Sequence, residues 1–195
     1  DRILDAAARV YARHGYRGAT TRLIANEAGV NEVTLFRTFG SKDQLFEELS
    51  RGQAAATHVP PLPDPPCDPR VELTAWCTTV LNHLTLHRSF LRKAMSEMEE
   101  RPLVTEAACR GPHCAHEVLL RYVGALRARG MAAPDRDVDT AISMFMSSLF
   151  GDALCRDAMP DGFPQPATDA PMRYVGCFLH AIGAQAAAGN ARASA

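Results

Sequence analysis

Asn31, Glu32, Val33, Thr34, Arg37 and Thr38 fall within eight consecutive residues, with Lys42 four further on. Their side chains share one kind of chemistry. Asparagine and arginine can bond the edges of adenine and guanine or clamp a phosphate, a glutamate can accept from the cytosine amine, and valine and threonine methyls can touch a thymine methyl. Phe36 lies in the same run. A lysine at the start of a helix can fix register on a phosphate backbone.

Such a set needs a helix to present it, and the flanking residues supply one. Thr20 suits an N-cap, its hydroxyl accepting an orphan backbone N–H, and Ala19 and Ile24 sit at staple spacing. Leu23, Ile24 and Ala28 give the apolar side of a short helix, and Ala25 allows close approach of a second. Gly29 can take the left-handed conformation that ends a helix. Asn31 suits the next N-cap, with Leu35 and Phe39 facing inward. Ser41-Lys42-Asp43-Gln44 reads as a capping box that starts another helix. Upstream, Ile3, Leu4, Ala7, Ala8, Val10 and Tyr11 recur at helical spacing and would cover the backs of these helices. The spacing predicts a helix-turn-helix, with Thr20, Thr21 and Arg22 abutting phosphates and the Asn31–Thr38 helix entering the major groove.

The residues Gly15-Tyr16, Thr20-Thr21, Ile24-Ala25, Ala28-Gly29-Val30, Thr34-Leu35-Phe36, Phe39 and Ser41-Lys42 together resemble the N-terminal domain of tetracycline-repressor-like (TetR family) transcriptional regulators. The resemblance covers about the first quarter of the chain. It implies a divergent, all-helical C-terminal domain that binds a small molecule and forms a homodimer. It also implies a repressor released from a double-stranded DNA operator by that molecule, acting in the cytoplasm of a bacterium. Two positions depart from the family's habit: Phe36 stands where a phosphate-touching tyrosine is common, and Thr38 where histidine is common. Phe36 cannot donate that hydrogen bond; Thr38 can still donate one.

Composition agrees with a globular protein. The chain has 195 residues, 47% of them hydrophobic, and a net charge of −1. That balance argues against strong non-specific affinity for nucleic acid. The distribution offsets it, because Arg22, Arg37 and Lys42 cluster with Arg13 and Arg17 nearby, and local potential governs steering. No apolar run is long enough for a membrane span. The six cysteines form no CxxC pair and are expected to be reduced. No cofactor motif is present.

The expected architecture is all-α: a DNA-binding domain at 1–52, a proline-rich connection at 53–69, a helical ligand-binding and dimerisation domain at 70–189, and a disordered tail at 190–195. Helices are predicted over about 70–88, 89–100 and 103–110, with a break at Gly111-Pro112. Others are predicted from Pro112 to about Gly130, from an Asp135 cap to Arg156, and from Met172 to Gly189. Trp76, Val80, His83 and His87 share one helical face, which suits either a pocket wall or ordinary core with half-exposed histidines. Met95, Met98, Tyr122, Met144 and Phe145 are the further pocket candidates. Ala141, Met146, Leu149 and Phe150, with Val175, Phe178, Leu179, Ile182 and Ala186, are the expected dimer interface. They lie on two helices too apolar to be solvated on more than a narrow strip.

Two other readings compete. Cys109, His113, Cys114 and His116 hold enough donors for a metal or thiol sensor, at a spacing that matches no closed zinc motif. A small helical enzyme would need a nucleophile or an acid–base pair. The chain has no G-x-S-x-G, H-E-x-x-H or phosphate-binding glycine loop, and Glu97, Glu99 and Glu100 read as a solvated charge cluster.

Overall fold

A computed structural model describes residues 2–56, 59–99 and 102–184. Nine helices appear among them: α1 (Arg2–Gly18), α2 (Thr21–Ala28), α3 (Glu32–Phe39), α4 (Lys42–Ala56), α5 (Pro69–Leu86), α6 (Arg88–Ser96), α7 (Pro102–Ala128), α8 (Val138–Cys155) and α9 (Ala170–Ala181). Two short 3₁₀ turns, Pro160–Gly162 and Ala167–Asp169, lie between α8 and α9. No strand occurs among the described residues, so the fold is all-α.

The chain forms two compact units. The first joins Asp1–His58 with Leu86–Pro112, and the second joins Val59–Thr85 with His113–Ala195. The segment 86–112, which the sequence expectation assigns to the C-terminal domain, thus packs with the N-terminal helices. The reason is aromatic: Phe90 of α6 packs against the first unit's core, its ring 5.0 Å from that of Tyr11.

That core is built from α1, α2, α3 and α4. Val10, Ile24, Leu35 and Leu45 are fully buried, and Ala6 and Ala25 let the helices close on one another. Small residues at crossings and branched or long apolar ones between them give the dense packing of a protein interior.

The second unit is centred on an aromatic ladder. Trp76 of α5 stacks on Phe145 of α8 (6.3 Å, 28°), which stacks on Phe178 of α9 (4.7 Å, 18°). Leu119, Val123 and Leu126 of α7 are buried in the same unit. Asp152 is buried as well, and its charge is met on three sides. Arg156 donates to it from Nε at 2.5 Å and from a second guanidinium nitrogen, and the Tyr174 hydroxyl donates at 2.8 Å. A buried charge is tolerated only with such partners.

Several boundaries differ from the sequence expectation. α7 runs through Pro112 instead of breaking there. Pro112 is exposed, so its ring adds no clash to a packed face, and a proline in a long helix then bends or locally weakens it without ending it. Asp137, not Asp135, caps α8, accepting from the Thr140 N–H at 3.0 Å. α9 stops at Ala181 rather than near Gly189. Gly183 turns left-handed there (φ 63°), and the Ile182 carbonyl accepts from the Ala133 N–H at 3.2 Å. A Cβ on Gly183 would stand 2.6 Å from that of Ala133, so the close approach that glycine permits is to the chain's own α7–α8 connection. Ala186 and the expected tail lie outside the described residues.

Candidate nucleic-acid interface

The turn between α2 and α3 is made locally. Thr20 Oγ accepts from the Leu23 N–H at 3.2 Å, which starts α2. Gly29 is left-handed (φ 66°, ψ 36°), and the Val30 N–H returns to the Ala25 carbonyl at 3.0 Å. This pattern consumes the last carbonyls of α2. A guanidinium nitrogen of Arg2 donates to the Ala28 carbonyl at 3.1 Å, a cation at a helix C-terminus. Asn31 Oδ1 then accepts from both the N–H and the hydroxyl of Thr34, each at 2.7 Å, and α3 begins. Ser41 Oγ accepts from the Gln44 N–H at 3.1 Å and starts α4.

Leu35 is fully buried beneath α3, so the opposite face is fixed outward. Val33 is 74% exposed and Phe36 43% exposed, and Arg37 is exposed beside them at helical spacing. Arg22 projects from α2 and is also exposed. Among the described residues, neither Arg22 nor Arg37 has an acidic partner. Arg9 and Arg13 differ: they donate to Glu27 at 2.9 and 2.8 Å. Those bonds hold the Glu27 carboxyl below its ordinary value and reduce the local positive potential.

The remaining candidates are engaged within the unit. The Thr21 hydroxyl donates to Glu32, tying α2 to α3. Thr38 Oγ donates back to the Thr34 carbonyl at 2.9 Å. Lys42 Nζ donates to the Tyr16 carbonyl at 2.5 Å and lies 4.1 Å from the centre of the Tyr16 ring. Thr20, Asn31, Thr34 and Lys42 therefore shape the surface, while Arg22, Val33, Phe36 and Arg37 constitute its outward part.

The pocket candidates do not converge. Trp76, Val80 and Phe145 are core, Met144 is 67% exposed, and Met95 and Met98 are exposed on the first unit. α5 ends at Leu86, so His87 leaves the shared face and stands at the start of α6, while His83 is half-buried. Tyr122 alone lines a described cleft. That cleft has a volume of ≈ 190 Å³ and lies between Pro61–Asp64 and the α7 residues Val118, Arg121, Tyr122 and Ala125. The Tyr122 hydroxyl donates to Glu72. Burial raises the Glu72 carboxyl, but this bond and the N–H groups of Asp68 and Cys67 outweigh it and hold the group below its ordinary value.

The dimer candidates point mostly inward. Leu149, Val175 and Ile182 are wholly buried, and Ala141, Phe178 and Leu179 nearly so, within their own chain; Met146 and Phe150 are half-buried. Two helices that are apolar on most sides first satisfy the unit they belong to. Of the cysteine–histidine set, His113 approaches Glu117 (3.5 Å) and His116 approaches Asp139 (3.6 Å). The Cys109 side chain lies outside the described residues, and among those described no three metal-ligating groups are brought together. Burial, reinforced by Asp152, pushes the Cys77 thiol up to about 12, which keeps it protonated and unreactive.

Sequence reading missed Glu97 and Asp152. Glu97 reads from the sequence as a solvated charge, yet it accepts from the Tyr11 hydroxyl and the Tyr16 N–H, each at 3.0 Å. The available signal was an acid at a helix C-terminus, where a lone carboxylate is unfavourable.

Residues 3–49 match the family model described as bacterial regulatory proteins, tetR family. An uncharacterised HTH-type transcriptional regulator of Bacillus subtilis, YvkB, is 29% identical over 150 residues, covering 77% of this chain and 78% of that protein. The HTH-type transcriptional repressor AcnR of Corynebacterium glutamicum is 43% identical over 53 residues, 27% of this chain and 28% of that protein. The chain thus spans little more than a quarter of AcnR's length. Among solved structures, a TetR-family transcriptional regulator from Mesorhizobium loti superposes with a TM-score of 0.72 at 20% identity, over 93% of this chain and 95% of that one. At that identity the likeness speaks for the fold.

Proposed function

We propose, for a chain that belongs to the tetR family of bacterial regulatory proteins, that it is a homodimeric, cytoplasmic transcriptional repressor released from a double-stranded DNA operator by a small molecule. It is a regulator and not an enzyme. The observation that carries the DNA-binding part is the outward face of α3. Val33, Phe36 and Arg37 are exposed over a fully buried Leu35, which is the disposition of a recognition helix. Val33 and Phe36 offer apolar contact to thymine methyls, and Arg37 offers bidentate bonds to guanine. Arg22 supplies a phosphate contact from α2. The repressor reading draws on relatives such as AcnR, matched over a quarter of their length.

A second copy follows from the same chemistry, because paired recognition helices read half-sites about 34–36 Å apart. The outer strips of α8 and α9 are the surface we assign to it. Met144 and Met172 are exposed there, and Ser143, Ser147 and Gly176 are small enough for close helix approach. Tyr122 and Arg121 make the cleft on α7 the candidate effector site; its lining is mostly apolar, with one cation, Arg121, and one carboxylate, Asp64.

The test is selection from a random duplex library by the full chain, followed by anisotropy titration at two salt concentrations. Sequence-dependent binding with a steep salt slope supports the proposal. Arg37→Ala is expected to cost about 1–3 kcal/mol on the selected duplex and to relax specificity at one position. Equal loss on random DNA would make Arg37 a phosphate contact. Absence of any enriched duplex would refute DNA recognition.

A further inference from the structure

Glu97 ends α6, where a carboxylate faces the negative end of the helix dipole. Both its oxygens are nonetheless engaged within the first unit. Oε1 accepts from the Tyr16 N–H and Oε2 from the Tyr11 hydroxyl, each at 3.0 Å. The Tyr16 N–H follows a break in α1, where Gly15 leaves the helical region (φ 66°, ψ −178°). Gly15 is needed there for two reasons. Its φ lies where side chains are strained, and a Cβ would stand 2.4 Å from Glu97 Oε1 and 2.5 Å from Lys93 Cε. The break in α1 is thus shaped to receive Glu97, which caps it from another helix as an N-cap side chain caps its own.

Tyr16 carries the constraint onward. Its carbonyl accepts from Lys42 Nζ at 2.5 Å, its hydroxyl donates to Asp43, and its ring meets Phe46 edge-on at 4.9 Å. Lys42, Asp43 and Phe46 form the beginning of α4, and only Gly40 and Ser41 separate α4 from α3. We propose that Glu97 is a positioning residue for DNA binding: by holding Tyr16 at the break in α1, it fixes the start of α4 and with it the pose of α3. The proposal rests on the DNA-binding reading above.

The experiment compares the full chain with Glu97→Ala, Glu97→Gln and Tyr11→Phe on a duplex enriched by the unmodified protein. Glu97→Ala is expected to weaken binding about tenfold, within the usual range of coupling between sites. The salt slope should stay unchanged, because no phosphate contact is lost. Glu97→Gln keeps an oxygen for the Tyr16 N–H and should recover to within about threefold of the unmodified protein. Tyr11→Phe removes the second bond while keeping the one to the Tyr16 N–H, and should bind within about twofold. Gly15→Ala, which displaces the Glu97 carboxylate, should weaken binding as Glu97→Ala does.

Binding by Glu97→Ala within about twofold of the unmodified protein would overturn the proposal and leave DNA recognition standing. Loss shared equally by Glu97→Ala, Glu97→Gln and Tyr11→Phe would overturn it too, showing general loosening. If the unmodified chain enriches no duplex, the DNA-binding reading fails and this proposal fails with it.

Discussion

The α2–α3 pair and the α8–α9 pair use apolar residues in opposite ways. On α3, Leu35 alone is fully buried, while Val33 and Phe36 remain at the surface. On α8 and α9 the large apolar residues are drawn inside, with Leu149, Val175 and Ile182 fully buried, and the exposed positions are left to Met144, Met172, small residues and the polar Asp139, Arg173 and His180. A short helix with one inward residue per turn has a single orientation. A helix that is apolar over most of its circumference can turn either side inward, and packing chooses. The first pair keeps apolar side chains at its surface; the second mostly builds its own unit.

The sharpest way to break that contrast is through Asp152, which joins α8 to α9 by way of Tyr174. Asp152→Ala leaves the Tyr174 hydroxyl and two of the three Arg156 nitrogens without their acceptor and should cost about 3–5 kcal/mol, the usual loss when one partner of a buried ion pair is removed. Urea unfolding measures it, and a cost near zero would show the network to be solvated. Leu149→Ala comes next, at about 2–5 kcal/mol, the range for a leucine cavity. Its unfolding midpoint should fall equally at all protein concentrations. A fall seen only at low concentration would return Leu149 to a subunit interface. Val33→Ala should change stability by less than about 0.5 kcal/mol, as exposed substitutions do, while weakening binding to the selected duplex.

The smallest effect concerns Glu27. Its carboxyl is held below the ordinary 4.5 by hydrogen bonds from Arg9 and Arg13. The group therefore binds protons less readily in the folded chain than in the unfolded one. Its contribution to stability is present above the ordinary value and is lost as pH falls through the lowered one. Glu27→Gln should flatten the acid limb of the stability profile below pH 4.5. An unchanged limb would mean that the pair with Arg9 and Arg13 is not maintained in solution.

The same contrast explains how much was legible in the sequence. The caps at Thr20, Asn31 and Ser41 and the turn at Gly29 act within four or five residues, so residue type and spacing reveal them. The face of α3 follows from Leu35 by helical period. Glu97 and Tyr16 lie 81 positions apart, and Asp152 and Tyr174 lie 22 apart. No local pattern announces such a bond. Engagement of Thr21 by Glu32 and of Lys42 by Tyr16 is hidden for the same reason: Thr21 and Lys42 read from the sequence as facing phosphates. Pro112 misled because proline marks a break only where the neighbouring helix cannot absorb it. The inward turn of α8 depends on the aromatic ladder through Trp76, Phe145 and Phe178, whose members are scattered along the chain.

We propose α3 as the face that meets DNA. Hydrogen exchange on the full chain, with and without a saturating selected duplex, tests it most directly. New protection is expected in the peptides covering Arg22 and Glu32–Phe39, with α8 and α9 unchanged. Protection confined to α8 and α9, or none anywhere at saturation, would contradict it.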